Sequence, residues 1–242
     1  MKITSLQNEH VKYWANLSNK RFRDKERIFL VEGEHLIEEA KKRNLIVETI
    51  SVIDESADYY VTKEIMQKIS NQKSISYNAA VVKFIPEDSI KNNVLIIDGL
   101  QDPGNLGTII RSGIAFGFTD FVLSLNSVDV YNEKVIRATE GMIFHVNVLR
   151  RDLLEFIPKL KNLGYKVVGT DVTNGKDIKE VKCDNIALVI GSEGSGMSSD
   201  VKELCDLLVH INMSDTCESL NAGVAGSILM YEVYNGWINI YW

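Results

Sequence analysis

Strands alternating with helices along most of the chain predict an α/β fold in two parts, a small domain over residues 1–90 and a larger one over residues 91–242. Three observations carry this. Apolar runs such as residues 94–98 and 186–190 are continuous rather than alternating, as in parallel strands buried on both faces. Segments of helical spacing separate such runs, two of them stopped by Gly117 and Gly164. Residues 83–93 hold Pro86 and several polar side chains, which makes them the best linker.

Composition bounds the function. The 242 residues are 45% hydrophobic and 25% charged, enough for one large or two small soluble domains. No apolar run reaches the ~18 residues of a membrane span, and the first residues lack the apolar stretch of a secretory signal. A cytoplasmic protein without a membrane partner is expected. Cys183, Cys205 and Cys217 form no CxxC pair and no cluster with the four histidines, so reduced thiols and no bound metal are expected. The formal net charge of −6 is unusual for a nucleic-acid binder. It is also uneven: residues 1–90 carry 14 basic and 14 acidic side chains, residues 91–242 carry 13 and 19. Any RNA affinity must come from local patches.

In the first part, residues 1–18 place Val11, Tyr13, Trp14 and Leu17 at helical spacing. The run over residues 19–27 then concentrates Lys20, Arg21, Arg23, Lys25 and Arg27. Such a run reads either as a solvated face or as a patch that contacts phosphates. Phe22 within it suits a base stack or a core anchor. Residues 28–31 read as a strand and residues 32–43 as a helix with Leu36, Ile37 and Ala40 inward. Residues 45–53, 59–61 and 74–82 are further strands, and residues 63–70 a helix.

In the second part, residues 94–98 are a strand followed by a loop with Pro103 and Gly104. Asn105 or Thr108 is the expected cap of a helix over residues 109–116. Residues 118–123 are a strand, 132–139 a helix, 143–148 a strand and 153–163 a helix. Strands at 165–170, 186–190 and 207–211 and helices at 198–204 and 220–234 complete the chain.

Chemistry concentrates in three stretches. A buried strand runs directly into Gly191, Gly194 and Gly196, a loop whose backbone can approach a nucleotide-like ligand. The spacing is neither GxGxxG nor GK[ST], which argues against a nicotinamide or Walker site. Residues 211–232 pass from a strand through a polar turn into a helix crowded with Ala222, Gly223, Ala225, Gly226 and Ser227. Small side chains there admit another backbone or a flat ligand. The third stretch, residues 105–117, carries Arg111 near the start of the expected helix, where the dipole does not favour a cation. It reads either as an ion pair with Asp98, Asp102 or Glu193, or as a contact to RNA phosphate or ribose.

Taken in order, NLGTIIRSG, LVIGSEGSGM and INMSDTCESLNAG resemble the three signature motifs of the SpoU/TrmH branch of the SPOUT methyltransferases, over about residues 94–235. FLVEGEHLIEEA, with Glu32 and Gly33, is similar to the ribosomal-protein-like α/β substrate-binding domain that precedes many SpoU-type catalytic domains. The resemblance implies an RNA ribose 2'-O-methyltransferase that uses S-adenosylmethionine as methyl donor. It also implies a parallel-sheet catalytic domain with a deep trefoil knot, which periodicity alone does not indicate, and a homodimer through those domains.

By the same resemblance, Gly191, Gly196, Ile211, Met213 and Leu220 hold the cofactor, with Gly169 and Thr170 as a third contacting loop. Asn105, Arg111, Glu193, Ser219 and Asn221 form the catalytic set. Glu193 is expected to order its loop by accepting backbone hydrogen bonds, with a direct role on RNA as the alternative. Arg111 is read as a phosphate clamp that stabilises a developing alkoxide. The basic run Lys20–Arg27 is the candidate RNA contact. Two departures stand out: Asn212 replaces a proline, and RATEGM (residues 137–142) replaces Ser-x-Gly-Ala. His145 and His210 are read as core residues, and Tyr231, Tyr234 and Trp237 as a stripe for core or dimer packing. Ribosomal RNA is favoured over transfer RNA. The rival reading is a catalytically silent RNA-binding paralogue acting in ribosome assembly.

Overall fold

A computed structural model describes residues 1–70, 75–172, 175–181, 185–214 and 216–238, with backbone alone for residues 237 and 238. Cys183 and the Trp237 side chain lie outside the described residues. The chain divides into two compact units, Met1–Pro86 with Asp129–Phe144, and Glu87–Val128 with His145–Trp242.

The first unit runs β1 (Lys2–Ile3), α1 (Glu9–Asn16), α2 (Lys20–Glu26), β2 (Ile28–Glu32), α3 (Glu34–Lys42), β3 (Ile46–Ser51), β4 (Tyr59–Val61), α4 (Lys63–Ile69) and β5 (Asn78–Lys83). Its sheet has the order β1-β4-β3-β5-β2. Strands β1, β4 and β3 are parallel, and β5 is antiparallel to both neighbours. Val11, Trp14 and Leu17 pack against Ile65, Met66 and Ile69 to fill one core.

The basic run is a helix, α2, which the sequence reading does not foresee because its residues lack an apolar period. Asn19 caps it by accepting from Arg21 N at 2.9 Å, and Arg27 ends it at φ 58°. Arg23, named with the candidate RNA contact, is buried and not on the exposed face of that run. It is 5% exposed and donates to Leu17 O at 2.7 Å, Ser18 O at 2.8 Å and Asp129 Oδ2 at 2.6 Å. Lys20, Arg21, Lys25 and Arg27 are exposed. Lys20 pairs with Asp24 and Lys25 with Glu26, while Arg27 lies 4.6 Å over the Phe84 ring.

The second unit carries β6 (Asn93–Ile97), α5 (Pro103–Ala115) and β7 (Phe118–Ser124). Helix α6 (Glu133–Ala138) and a 3-10 turn, Met142–His145, follow. Helix α6 and all but the last residue of that turn belong to the first unit, where the Phe29 ring meets Tyr131 at 4.8 Å and Phe144 at 6.2 Å. The chain then continues through β8 (Asn147–Arg151), α7 (Leu153–Asn162), β9 (Lys166–Thr170), β10 (Lys176–Asp177), β11 (Ile186–Ile190), α8 (Ser199–Glu203), β12 (Leu207–His210) and α9 (Ala222–Ile238). The second sheet is parallel in the order β10-β12-β9-β11-β6-β7-β8. Its strands β6 and β11 are fully buried, which accounts for their unbroken apolar runs.

Two expectations are corrected. Residues 143–145 form a 3-10 turn and the strand begins at Asn147, a short apolar run having fitted either period. Helix α5 starts at Pro103, not 109: Asp102 caps it by accepting from Asn105 N at 2.8 Å, and proline occupies the first turn, where its missing N–H costs nothing. Arg111 therefore lies mid-helix, and the dipole argument for it falls.

Candidate active site

The strand order reverses around β9, with β11 on one side and β12 on the other. Ligands of open α/β sheets bind beyond the carboxyl ends of strands at such a reversal. A cavity of about 460 Å³ opens there, lined by the turns after β9, β11 and β12 and by the start of α9. Its size falls within the ~300–1,000 Å³ of small-molecule sites.

The glycine loop after β11 closes on itself. Ser192 N donates to Gly196 O and Gly196 N to Ser192 O, both at 3.0 Å, with Gly196 at φ 67°. Gly191 is enforced by this closure: a Cβ there would lie 2.1 Å from Gly196 C and 2.2 Å from Met197 N. Beyond the loop, Ser198 donates its N–H and hydroxyl to Asp98 Oδ2 at 2.7 and 2.8 Å, tying the loop to the end of β6.

Glu193 joins the three stretches. Its Oε1 accepts from the side-chain amides of Asn105, on α5, and of Asn221, the latter at 2.8 Å. These are side-chain donors, not the backbone groups expected from sequence. Asn221 also caps α9, its Oδ1 accepting from Val224 N at 3.2 Å. The small residues of α9 let side chains come close, where the sequence suggested a backbone or a flat ligand: a Cβ on Gly223 would come within 3.2 Å of Asn105 Oδ1, and one on Gly226 within 2.6 Å of Ile190 Cδ1. Ser227 and Ser112 hydroxyls bond at 2.7 Å between α9 and α5.

Of the residues assigned to the cofactor, Thr170, Gly191, Gly196, Ile211, Met213 and Leu220 line the cavity, as do Glu193 and Ser219. Gly169 lies one step behind, where a Cβ would meet Cys205 Sγ and Met197 Cε at 2.7 Å. Arg111 is on the exposed face of α5 and makes no ion pair among the described residues; Asp98, Asp102 and Glu193 are engaged elsewhere. Glu140 and Gly141 of RATEGM belong to the first unit, both at positive φ, with Glu140 O 3.1 Å from His35 Nε2.

Several site residues escaped the sequence reading. Lys202 and Asp171 pair in the cavity wall. Asp171 directly follows β9, and that place at a parallel strand's carboxyl end was the available signal. His210 is not core: it lines the cavity, half-buried, with Nδ1 3.1 Å from Gly175 O and Nε2 2.9 Å from Asn212 Oδ1. Asn212 in turn donates to Asp177 Oδ2 at 3.1 Å, so the residue replacing proline links β12 to β10. His145 is exposed. Burial pushes the Cys205 thiol up to about 11. Among the described residues no cluster suits a metal ion, and no helix is long and apolar enough to cross a membrane.

A glycine loop flanked by two further turns at the switch point of a parallel sheet, with one carboxylate holding two amides over them, defines a nucleotide-cofactor enzyme of the α/β class. The chain belongs to the SpoU rRNA Methylase family, which residues 92–231 match; residues 8–80 match the MRM3-like substrate binding domain. It is 37% identical to the 23S rRNA (guanosine(2553)-2'-O)-methyltransferase RlmP of Bacillus subtilis, over 96% of this chain and 98% of that protein. Its fold is shared with two crystal structures. One is an AdoMet-bound rRNA methyltransferase from Sinorhizobium meliloti, with a TM-score of 0.88 and 24% identity over 97% of each chain. The other is the SpoU methyltransferase AviRb from Streptomyces viridochromogenes in complex with AdoMet, with a TM-score of 0.86 and 23% identity over 96% of this chain and 99% of that one.

Proposed function

We infer that the protein transfers a methyl group from S-adenosylmethionine to a ribose 2'-hydroxyl of ribosomal RNA. The observation that carries this is the convergence of Asn105 and Asn221 on Glu193 at a cavity walled by the glycine loop. The Bacillus relative, named for a guanosine of 23S rRNA and alike over nearly the whole chain, supports large-subunit RNA as the substrate class.

The residues present fit the cofactor. Ile211, Met213 and Leu220 offer apolar contact, the glycine loop offers backbone, and the Lys202–Asp171 pair suits a zwitterionic end. When bound, S-adenosylmethionine supplies an electrophilic methyl group on a sulfonium. The protein's part is alignment and charge. Glu193 fixes the loop against α5 and α9, so that the attacking hydroxyl meets a rigid wall. Arg111, always protonated, cannot act as base. Its guanidinium, without an ion pair among the described residues, clamps an RNA phosphate and stabilises the ribose oxygen as its proton passes to bulk water.

The domain roles are part of the same proposal: RNA binding by residues 1–90, through Lys20, Arg21, Lys25 and Arg27, and methyl transfer by residues 91–242, with the trefoil knot of the family. So are the cytoplasm as its place of work and a homodimer. Val224, Tyr231 and Tyr234 on α9 are 45%, 47% and 41% exposed, and the two tyrosine rings lie 5.5 and 6.0 Å from Phe116, an apolar face suited to a second copy.

Tritiated methyl transfer to ribosomal RNA from a strain lacking the protein tests the reading. Label on ribose 2'-oxygen is expected; calorimetric binding of S-adenosylmethionine without any transfer to RNA would refute it.

A further inference from the structure

We propose that Glu218 holds the ribose diol of the methyl donor, so that this side chain selects a ribonucleoside in the main cavity. The proposal deepens the S-adenosylmethionine reading above and rests on it. Glu218 lies in the chain between β12 and α9 and lines that cavity. Its backbone is placed from both sides. Upstream, Cys217 N donates to Ser214 O at 2.9 Å and closes a turn. Downstream, Asn221 caps α9 and donates to Glu193 at 2.8 Å.

Among the described residues the cavity wall carries three carboxylates, Asp171, Glu193 and Glu218. Two are engaged. Asp171 pairs with Lys202, and Glu193 Oε1 accepts from the amides of Asn105 and Asn221. Glu218 is exposed to the cavity and makes no hydrogen bond or ion pair among the described residues.

The chemistry selects what Glu218 takes. A carboxylate only accepts, so its partner must donate. An RNA phosphate carries charge of the same sign and is repelled. Adenine sets its N6 amine beside the N7 acceptor, which a second carboxylate oxygen would oppose. The ammonium of the methionine end is met by Asp171 beside Lys202. The ribose sets two hydroxyl donors on adjacent carbons, a pair that the two oxygens of one carboxylate accept together. In dinucleotide-binding sheets one acidic side chain takes the ribose 2'-hydroxyl by the same chemistry.

The test is competition of adenosine, 2'-deoxyadenosine and 3'-deoxyadenosine against S-adenosylmethionine, read by calorimetry on the full-length parent and on Glu218→Gln. In the parent, loss of either hydroxyl should weaken binding about tenfold, the size of one hydrogen bond to a charged group. Glu218→Gln should weaken adenosine and S-adenosylmethionine alike by about tenfold and bring the three nucleosides within about threefold of one another. Equal affinity of the three for the parent, or a preference that survives in the variant, overturns the proposal. A variant that loses affinity for S-adenosylmethionine and not for adenosine overturns it too, since Glu218 would then meet the ammonium. Failure of adenosine to compete has the same force. Methyl transfer to RNA by a protein without the ribose preference sinks the diol contact alone. The preference in a protein that transfers no methyl sinks the enzymatic reading and leaves the contact standing.

Discussion

Asn105 and Asn221 donate their side-chain amides to the same oxygen of Glu193, although they come from opposite ends of the second unit's sequence. One carboxylate thus sets the spacing of α5, the glycine loop and the cap of α9. Glu193→Gln keeps the shape but removes the charge that makes both bonds strong, worth about 1.5–3 kcal/mol for hydrogen bonds to charged groups. We expect S-adenosylmethionine affinity to fall by about tenfold, and unchanged calorimetric affinity would contradict the role assigned to this carboxylate.

Arg111 stands apart from that cluster, exposed and without an ion pair among the described residues. Arg111→Ala should lower methyl transfer by about 10²- to 10³-fold, the usual size of a lost electrostatic stabiliser. Cofactor binding and thermal stability should be those of the parent. Single-turnover transfer at the parental rate would take Arg111 out of the mechanism.

At Gly191 the backbone leaves no room for a methyl group, with Gly196 C 2.1 Å from the position of a Cβ. Gly191→Ala should force the loop open, destabilise the protein by about 1–3 kcal/mol as overpacking does, and abolish cofactor binding. Gly194→Ala, where a Cβ meets nothing within 4 Å, is the matched control and should bind normally. The contrast between the two in a cofactor titration is the measurement.

Acid should loosen the first unit through Asp58. The Thr49 N–H and hydroxyl, each donating at 2.8 Å, hold this carboxyl below the usual carboxylate range. A carboxylate whose folded pKa lies under its unfolded value of about 3.9 contributes fully above that pH, and the contribution drains away as pH falls through the folded value. Asp58→Asn should therefore cost stability at about pH 6 and cost little at about pH 2. Urea midpoints at the two pH values give the comparison, and an equal loss at both would contradict it.

Legibility in the sequence followed the range of the interactions. The continuous runs of β6 and β11 announced a buried parallel sheet, and the glycine loop announced a cavity walled by backbone, because both signals are local. The start of α5 was misread because Pro103 and Gly104 look like a turn until Asp102 is seen to cap them. Helix α2 was missed because its residues carry no apolar stripe. The burial of Arg23 had no local signature at all, its carboxylate partner lying 106 residues away. The Lys202–Asp171 pair spans 31 residues, and the place of Asp171 after β9 was its one local sign.

That long reach bears on how this protein can be divided. A fragment ending at residue 90 would keep Arg23 and discard Asp129, leaving a buried cation without its bonded counter-charge, a loss of about 3–5 kcal/mol. It would also strip Phe29 of the rings of Tyr131 and Phe144. The amino-terminal half is therefore not an autonomous module to be expressed by simple truncation; it borrows its final wall from further down the gene, and a faithful excision would have to graft residues 129–144 back on.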